Sequence, residues 1–138
     1  MTVTRELNKL VFAIGKRYST FAPFTWADKL NIQIYWKEVA DKPLAETLYY
    51  NDKPIIMMSN IIRYNNQNYF VLAHELCHVI EGLTAYYSSN MRFKDRSENS
   101  ADEFAMAVVT KLYVEEHDHL PDTYSDLRWN YGLPNIGD

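Results

Sequence analysis

His74-Glu75-Leu76-Cys77-His78 carries two imidazoles four residues apart, with a carboxylate directly after the first. On a helix, at about 100° per residue, His74 and His78 fall on nearly the same face one turn apart, so their rings can converge on one metal ion. Glu75 is displaced by one residue and flanks that metal rather than competing for it. A general base must stand there to take a proton from metal-bound water. Zinc (Zn2+) suits this arrangement, because it lowers the pKa of such a water to about 7 and keeps a fourth position open for a substrate carbonyl.

The pattern fixes three positions only, and an amphipathic helix with two surface histidines would satisfy it by chance. Its flanks, Phe70, Val71, Ala73, Leu76, Val79 and Ile80, instead predict a largely buried helix. Two adjacent buried imidazoles without partners would be costly, and a metal removes that cost. A catalytic zinc needs a third protein ligand. The metzincin extension would place Gly at 81 and His at 84, where this chain has Glu81 and Thr84. Further on, Glu98-Asn99-Ser100-Ala101-Asp102-Glu103-Phe104-Ala105 sets Glu98 and Asp102 four apart on one helical face. One of these carboxylates can ligate the metal while the other receives the spare imidazole N–H of a ligating histidine and fixes its tautomer. The small Ala101 and Ala105 let this helix approach the first closely.

The run HELCH, led by NYFVLAHE and followed by ENSADEFA, resembles the ImmA/IrrE family of zinc metallopeptidases, a gluzincin-like group. The resemblance covers roughly residues 25–115. It implies zinc held by His74, His78 and Glu98, with Glu75 as the catalytic base and Asp102 oriented on a ligand from outside. It also implies a zinc-dependent endopeptidase acting on a protein regulator. Members that are antirepressors cleave a phage or mobile-element repressor, and others act on a helix-turn-helix regulator in stress responses. The chain departs from the family where a Leu-Leu-x-Pro-like run often ends the second helix, reading Val108-Val109-Thr110-Lys111-Leu112 instead. A different class of function uses the same pocket without proteolysis: a zinc-containing binding module, an antirepressor by sequestration or a toxin–antitoxin component. The intact base favours the enzyme. A structural zinc site would be closed by four Cys/His ligands.

Other residues compete for these roles. Glu81 lies three after His78 on the histidine face and is a rival third ligand. Asp95-Arg96-Ser97-Glu98 fits a capping box that would tie Glu98 to its own helix end, with Ser97 as the better N-cap. Glu116 and His119 make a second Glu-x-x-His beside Glu75 and His78, but paired motifs of that kind build four-helix di-iron sites, and residues 31–58 read as strands. Cys77 reads as a small buried hydrophobe. For an oxyanion stabiliser the candidates are Tyr86, Tyr87, Arg92, His117 and Tyr124. Leu48-Tyr49-Tyr50 could add an extended peptide to a sheet edge.

The positioning elements follow from hydrophobic period. Leu7, Leu10, Val11, Ile14 and Tyr18 predict a helix over 4–18, weakened at Gly15, and Thr25 caps a short helix at 25–30. Alternation at Ile32, Ile34 and Trp36 predicts a strand; Leu48–Tyr50 and Ile55–Met58 predict two more, joined by turn residues 51–54. The motif helix is expected over 67–81 with Gly82 as its C′ glycine. A connection over 84–95, a helix over 97–114 and a weak helix over 122–131 complete the chain. The fold class is α+β: a small three-stranded antiparallel sheet packed on a helical core that carries the HExxH helix and the Glu98 helix.

At 138 residues, with no repeat or linker, residues 1–138 are expected to form a single domain. A net charge of −4, with no Lys/Arg run longer than Lys16-Arg17, argues against direct nucleic-acid binding. One cysteine excludes an intrachain disulfide framework. No signal-peptide order opens the chain, and no stretch approaches the roughly 18–20 apolar residues of a membrane span, so a cytoplasmic setting is the expectation.

Overall fold

Periodicity switches twice along the chain, and the elements switch with it. The computed structural model describes residues 2–38, 44–85 and 93–133, with side chains at 5–38, 44–81 and 100–133. In chain order these form α1 (Thr2–Tyr18), α2 (Pro23–Lys29), β1 (Gln33–Lys37), β2 (Ala45–Tyr50), β3 (Lys53–Ser59), a 3-10 turn (Asn60–Ile62), α3 (Gln67–Ala85), α4 (Phe93–His117) and α5 (Tyr124–Tyr131). The architecture is α+β, with one three-stranded sheet against the helices.

The sheet is mixed rather than antiparallel throughout. Its order is β1-β3-β2. β2 and β3 form the expected hairpin, with Leu48 opposite Ile55 and Tyr50 opposite Lys53. Asn51 and Asp52 both take positive φ at its tip, as a tight hairpin turn requires. β1 instead lies parallel to β3, with Ile34 opposite Ile56 and Trp36 opposite Met58. The reason is composition. The run Ile55-Ile56-Met57-Met58 is the most apolar strand segment, and a strand flanked on both sides buries such a run best. β2, which carries Glu46, Thr47 and the exposed Tyr49 and Tyr50, takes an edge. It also begins three residues earlier than its aromatic run suggests, because Ala45, Glu46 and Thr47 continue the pairing with β3.

Several helix ends differ from expectation by two residues or more, and three of them bear on the site or its caps. α2 starts at Pro23, whose missing N–H and fixed φ suit the first turn, so Thr25 lies inside the helix and does not cap it. α3 runs through Gly82 to Ala85. α4 is already helical at Phe93, which places Ser97 inside it rather than at an N-cap and removes the capping-box reading of Asp95 to Glu98.

The inward face of the sheet (Ile34, Trp36, Ile56, Met58) covers α2 and α3, and the core continues through Trp26, Leu72, Leu76, Phe104, Val108 and Leu112. Trp26 meets Phe104 edge-on at 6.2 Å. Ala101 and Ala105 are fully buried on α4. α5 is closed by Gly132, at φ 71°, where an added Cβ would stand 2.1 Å from Gln67 Cα at the start of α3. Glycine takes that left-handed backbone at least cost, and only glycine permits that approach. No helix among the described residues is long and apolar enough to cross a membrane.

Candidate metal centre

Asn65 opens α3, its Oδ1 accepting from the Gln67 backbone N–H at 2.8 Å. Leu72, Ala73, Leu76, Cys77 and Val79 then turn inward, which leaves His74 and His78 half-buried on the adjoining face. The one-turn spacing brings their rings to 4.8 Å between centroids, steeply inclined, and their Nε2 atoms to 3.1 Å. Two imidazole nitrogens bound at about 2.0–2.1 Å to a tetrahedral zinc would stand about 3.3 Å apart. The observed separation matches that bite within a few tenths of an ångström. It equally suits a hydrogen bond between the two rings in the metal-free chain.

Asp102, between two and three turns into α4, sets the tautomer. Its Oδ1 lies 2.8 Å from His74 Nδ1. A carboxylate accepts, so Nδ1 carries the proton and Nε2 presents its lone pair toward His78. The Asp102 side chain is 60% exposed. It borders an open cavity of about 490 Å³ shared with Asn8 of α1 and Lys111 of α4.

Glu75, 8% exposed, is the one buried charged residue among the described residues. Its carboxylate and the ring nitrogens of His74 and His78 all lie within 4.8 Å of one another. Thr47 Oγ1 donates to Glu75 Oε1 at 2.7 Å. Thr47 alternates with Leu48 and lies opposite Ile56, so it takes the inward face of β2. No local sequence signal marked Thr47, since its role depends on a strand and a helix meeting 28 residues apart.

The remaining candidates fall as follows. Glu98 lies in α4 one turn before Asp102, but its side chain is outside the described residues, as are Tyr86, Tyr87 and Arg92 entirely. Glu81 accepts from Cys77 Sγ at 3.5 Å. Burial, and then Glu81, push the Cys77 thiol pKa far up, so the sulfur is an inert thiol. Glu116 accepts from the Tyr131 hydroxyl, and His117 stacks on Tyr113 at 4.0 Å. Neither Glu116 nor His119 joins the His74 group, which is the one cluster of metal-ligating side chains among the described residues. Tyr124 is half-buried at the head of α5. Its hydroxyl pKa is raised mainly by burial; Arg128 lowers it and the Asp102 carboxylate raises it.

No protein-family model matches this chain, and no curated protein matches it.

Proposed function

We propose that this chain is a zinc-dependent endopeptidase of the kind its resemblance to the ImmA/IrrE family implies. The observation that carries the reading is the convergence of three groups: two Nε2 atoms 3.1 Å apart, a buried carboxylate beside them, and Asp102 behind His74 Nδ1. Two imidazoles with a neighbouring carboxylate form a donor set suited to zinc. His74 and His78 would hold the ion, and Glu98 is the proposed third ligand. When bound, zinc supplies Lewis acidity, activating water near neutral pH and polarising a carbonyl.

The chain's own residues do the rest. Asp102 keeps the His74 proton on Nδ1, so that Nε2 remains a donor atom. Glu75, with Oε1 occupied by Thr47, takes the proton of the attacking water on Oε2 and returns it to the departing amine nitrogen. β2 lies at the sheet edge, and its Tyr49 and Tyr50 are exposed there, which supports capture of an extended segment of a protein substrate. The substrate class proposed is a helix-turn-helix regulator encoded near this protein, in a cytoplasmic setting.

The test is incubation of the zinc-loaded protein and its Glu75→Gln variant with such regulators, reading fragments by mass spectrometry. Wild type should cut while the variant retains zinc and does not. A stoichiometric complex with no fragments would replace the enzyme with a sequestering module. Turnover by Glu75→Gln at the wild-type rate would remove Glu75 as the base.

A further inference from the structure

A carboxylate beside a cation has two possible uses, as a base or as a ligand. Glu75 lies within 4.8 Å of the ring nitrogens of His74 and His78, so a modest rotation would carry one oxygen onto any ion those rings share. That oxygen would then fill a position the substrate needs, and its lone pair would no longer accept a proton. Something must keep Glu75 off the ion.

Thr47 is placed to do so. Its hydroxyl stands 2.7 Å from Glu75 Oε1. The carboxylate can only accept, so the threonine donates, and hydrogen bonds to an ionised acceptor are roughly twice as strong as neutral ones. The anchor is stiff on two counts. Thr47 is β-branched, with restricted χ1, and its backbone is held in register opposite Ile56. It also belongs to the sheet rather than to α3, so it pulls the carboxylate from outside the helix that carries the histidines.

We infer that Thr47 is a positioning residue that holds Glu75 as a base rather than a ligand. The inference rests on the metallopeptidase reading of the site. It makes the inward-facing residue of an edge strand part of the site, and it requires a hydroxyl at that position.

The test uses the full chain stripped of metal and titrated with cobalt(II), whose visible absorption reports coordination number. Thr47→Val removes the donor at nearly constant shape, and Thr47→Ser keeps it. The serine variant should give the wild-type spectrum. The valine variant should give an altered spectrum and bind cobalt severalfold more tightly, as Glu75 joins the ion. Adding Glu75→Gln to the valine variant should restore the wild-type spectrum. In the cleavage assay Thr47→Val should lower kcat and leave KM unchanged. The contact itself is read without metal from a Thr47→Val/Glu75→Ala cycle in denaturant, where a coupling of about tenfold in the unfolding constant is expected. Identical cobalt spectra for the valine and serine variants, or an additive cycle, would overturn the inference and leave the enzyme reading intact. A chain that takes up no cobalt would overturn both.

Discussion

Replacing Asp102 by alanine isolates what the outer carboxylate contributes to the proposed zinc site. The contact removed is a single hydrogen bond of 2.8 Å between His74 Nδ1 and Asp102 Oδ1. Loss of such a partner from a ligating histidine typically weakens metal binding by about 10–100-fold. Asp102 is 60% exposed on an open groove, so water replaces it readily and solvent screens its charge. The lower end of that range therefore applies: about tenfold in Kd, or about 1.4 kcal/mol. Asp102→Asn keeps an acceptor but loses the charge, and about threefold is expected on the same scale. Zinc affinity would be read by competition with a chromogenic chelator at neutral pH. Because Asp102 is exposed, its removal should change the stability of the metal-free protein by no more than about 0.5 kcal/mol, which denaturant unfolding checks separately. An alanine variant that binds zinc within twofold of wild type, at unchanged stability, would refute the assignment of Asp102 to His74.

Gly132→Ala forces a side chain into a left-handed backbone and against Gln67 Cα, a 2.1 Å approach. It should destabilise the protein by at least about 2 kcal/mol in urea unfolding while leaving cobalt or zinc stoichiometry unchanged. Cys77, buried and with its thiol pKa raised by burial and Glu81, should resist alkylation at pH 8 in the native chain and label fully in denaturant. Tyr131 has its hydroxyl pKa raised above the ordinary 10.0 by burial and by its hydrogen bond to Glu116. The folded state therefore holds that proton more tightly than the unfolded chain. Its contribution to stability is complete below pH 10 and is lost above it, by at most about 1.4 kcal/mol per pH unit. Tyr131→Phe should flatten that alkaline fall in a pH series of unfolding measurements.

How much of this was legible in advance differs between the motif and its surroundings. Helical period and the identities of residues 74, 75 and 78 suffice to put two imidazoles on one face with a carboxylate beside them, because the helix repeat is a local property of the backbone. The four-residue spacing within ENSADEFA likewise marked Asp102, and it stands at His74 Nδ1. The hairpin was written in Asn51 and Asp52, whose types tolerate positive φ. Strand order was not: the choice of β3 over β2 as the partner of β1 is settled by which strand buries its apolar run best, and that is decided only when the helices cover the sheet. The ends of α3 and α4 also ran past their local stop and start signals, Gly82 and Ser97, since a single glycine or serine costs a helix about 1 kcal/mol or less. Thr47 shows the limit most plainly. An unremarkable threonine on an edge strand becomes the hydrogen-bond partner of Glu75 through a contact between two elements, and no short-range pattern encodes a contact of that kind.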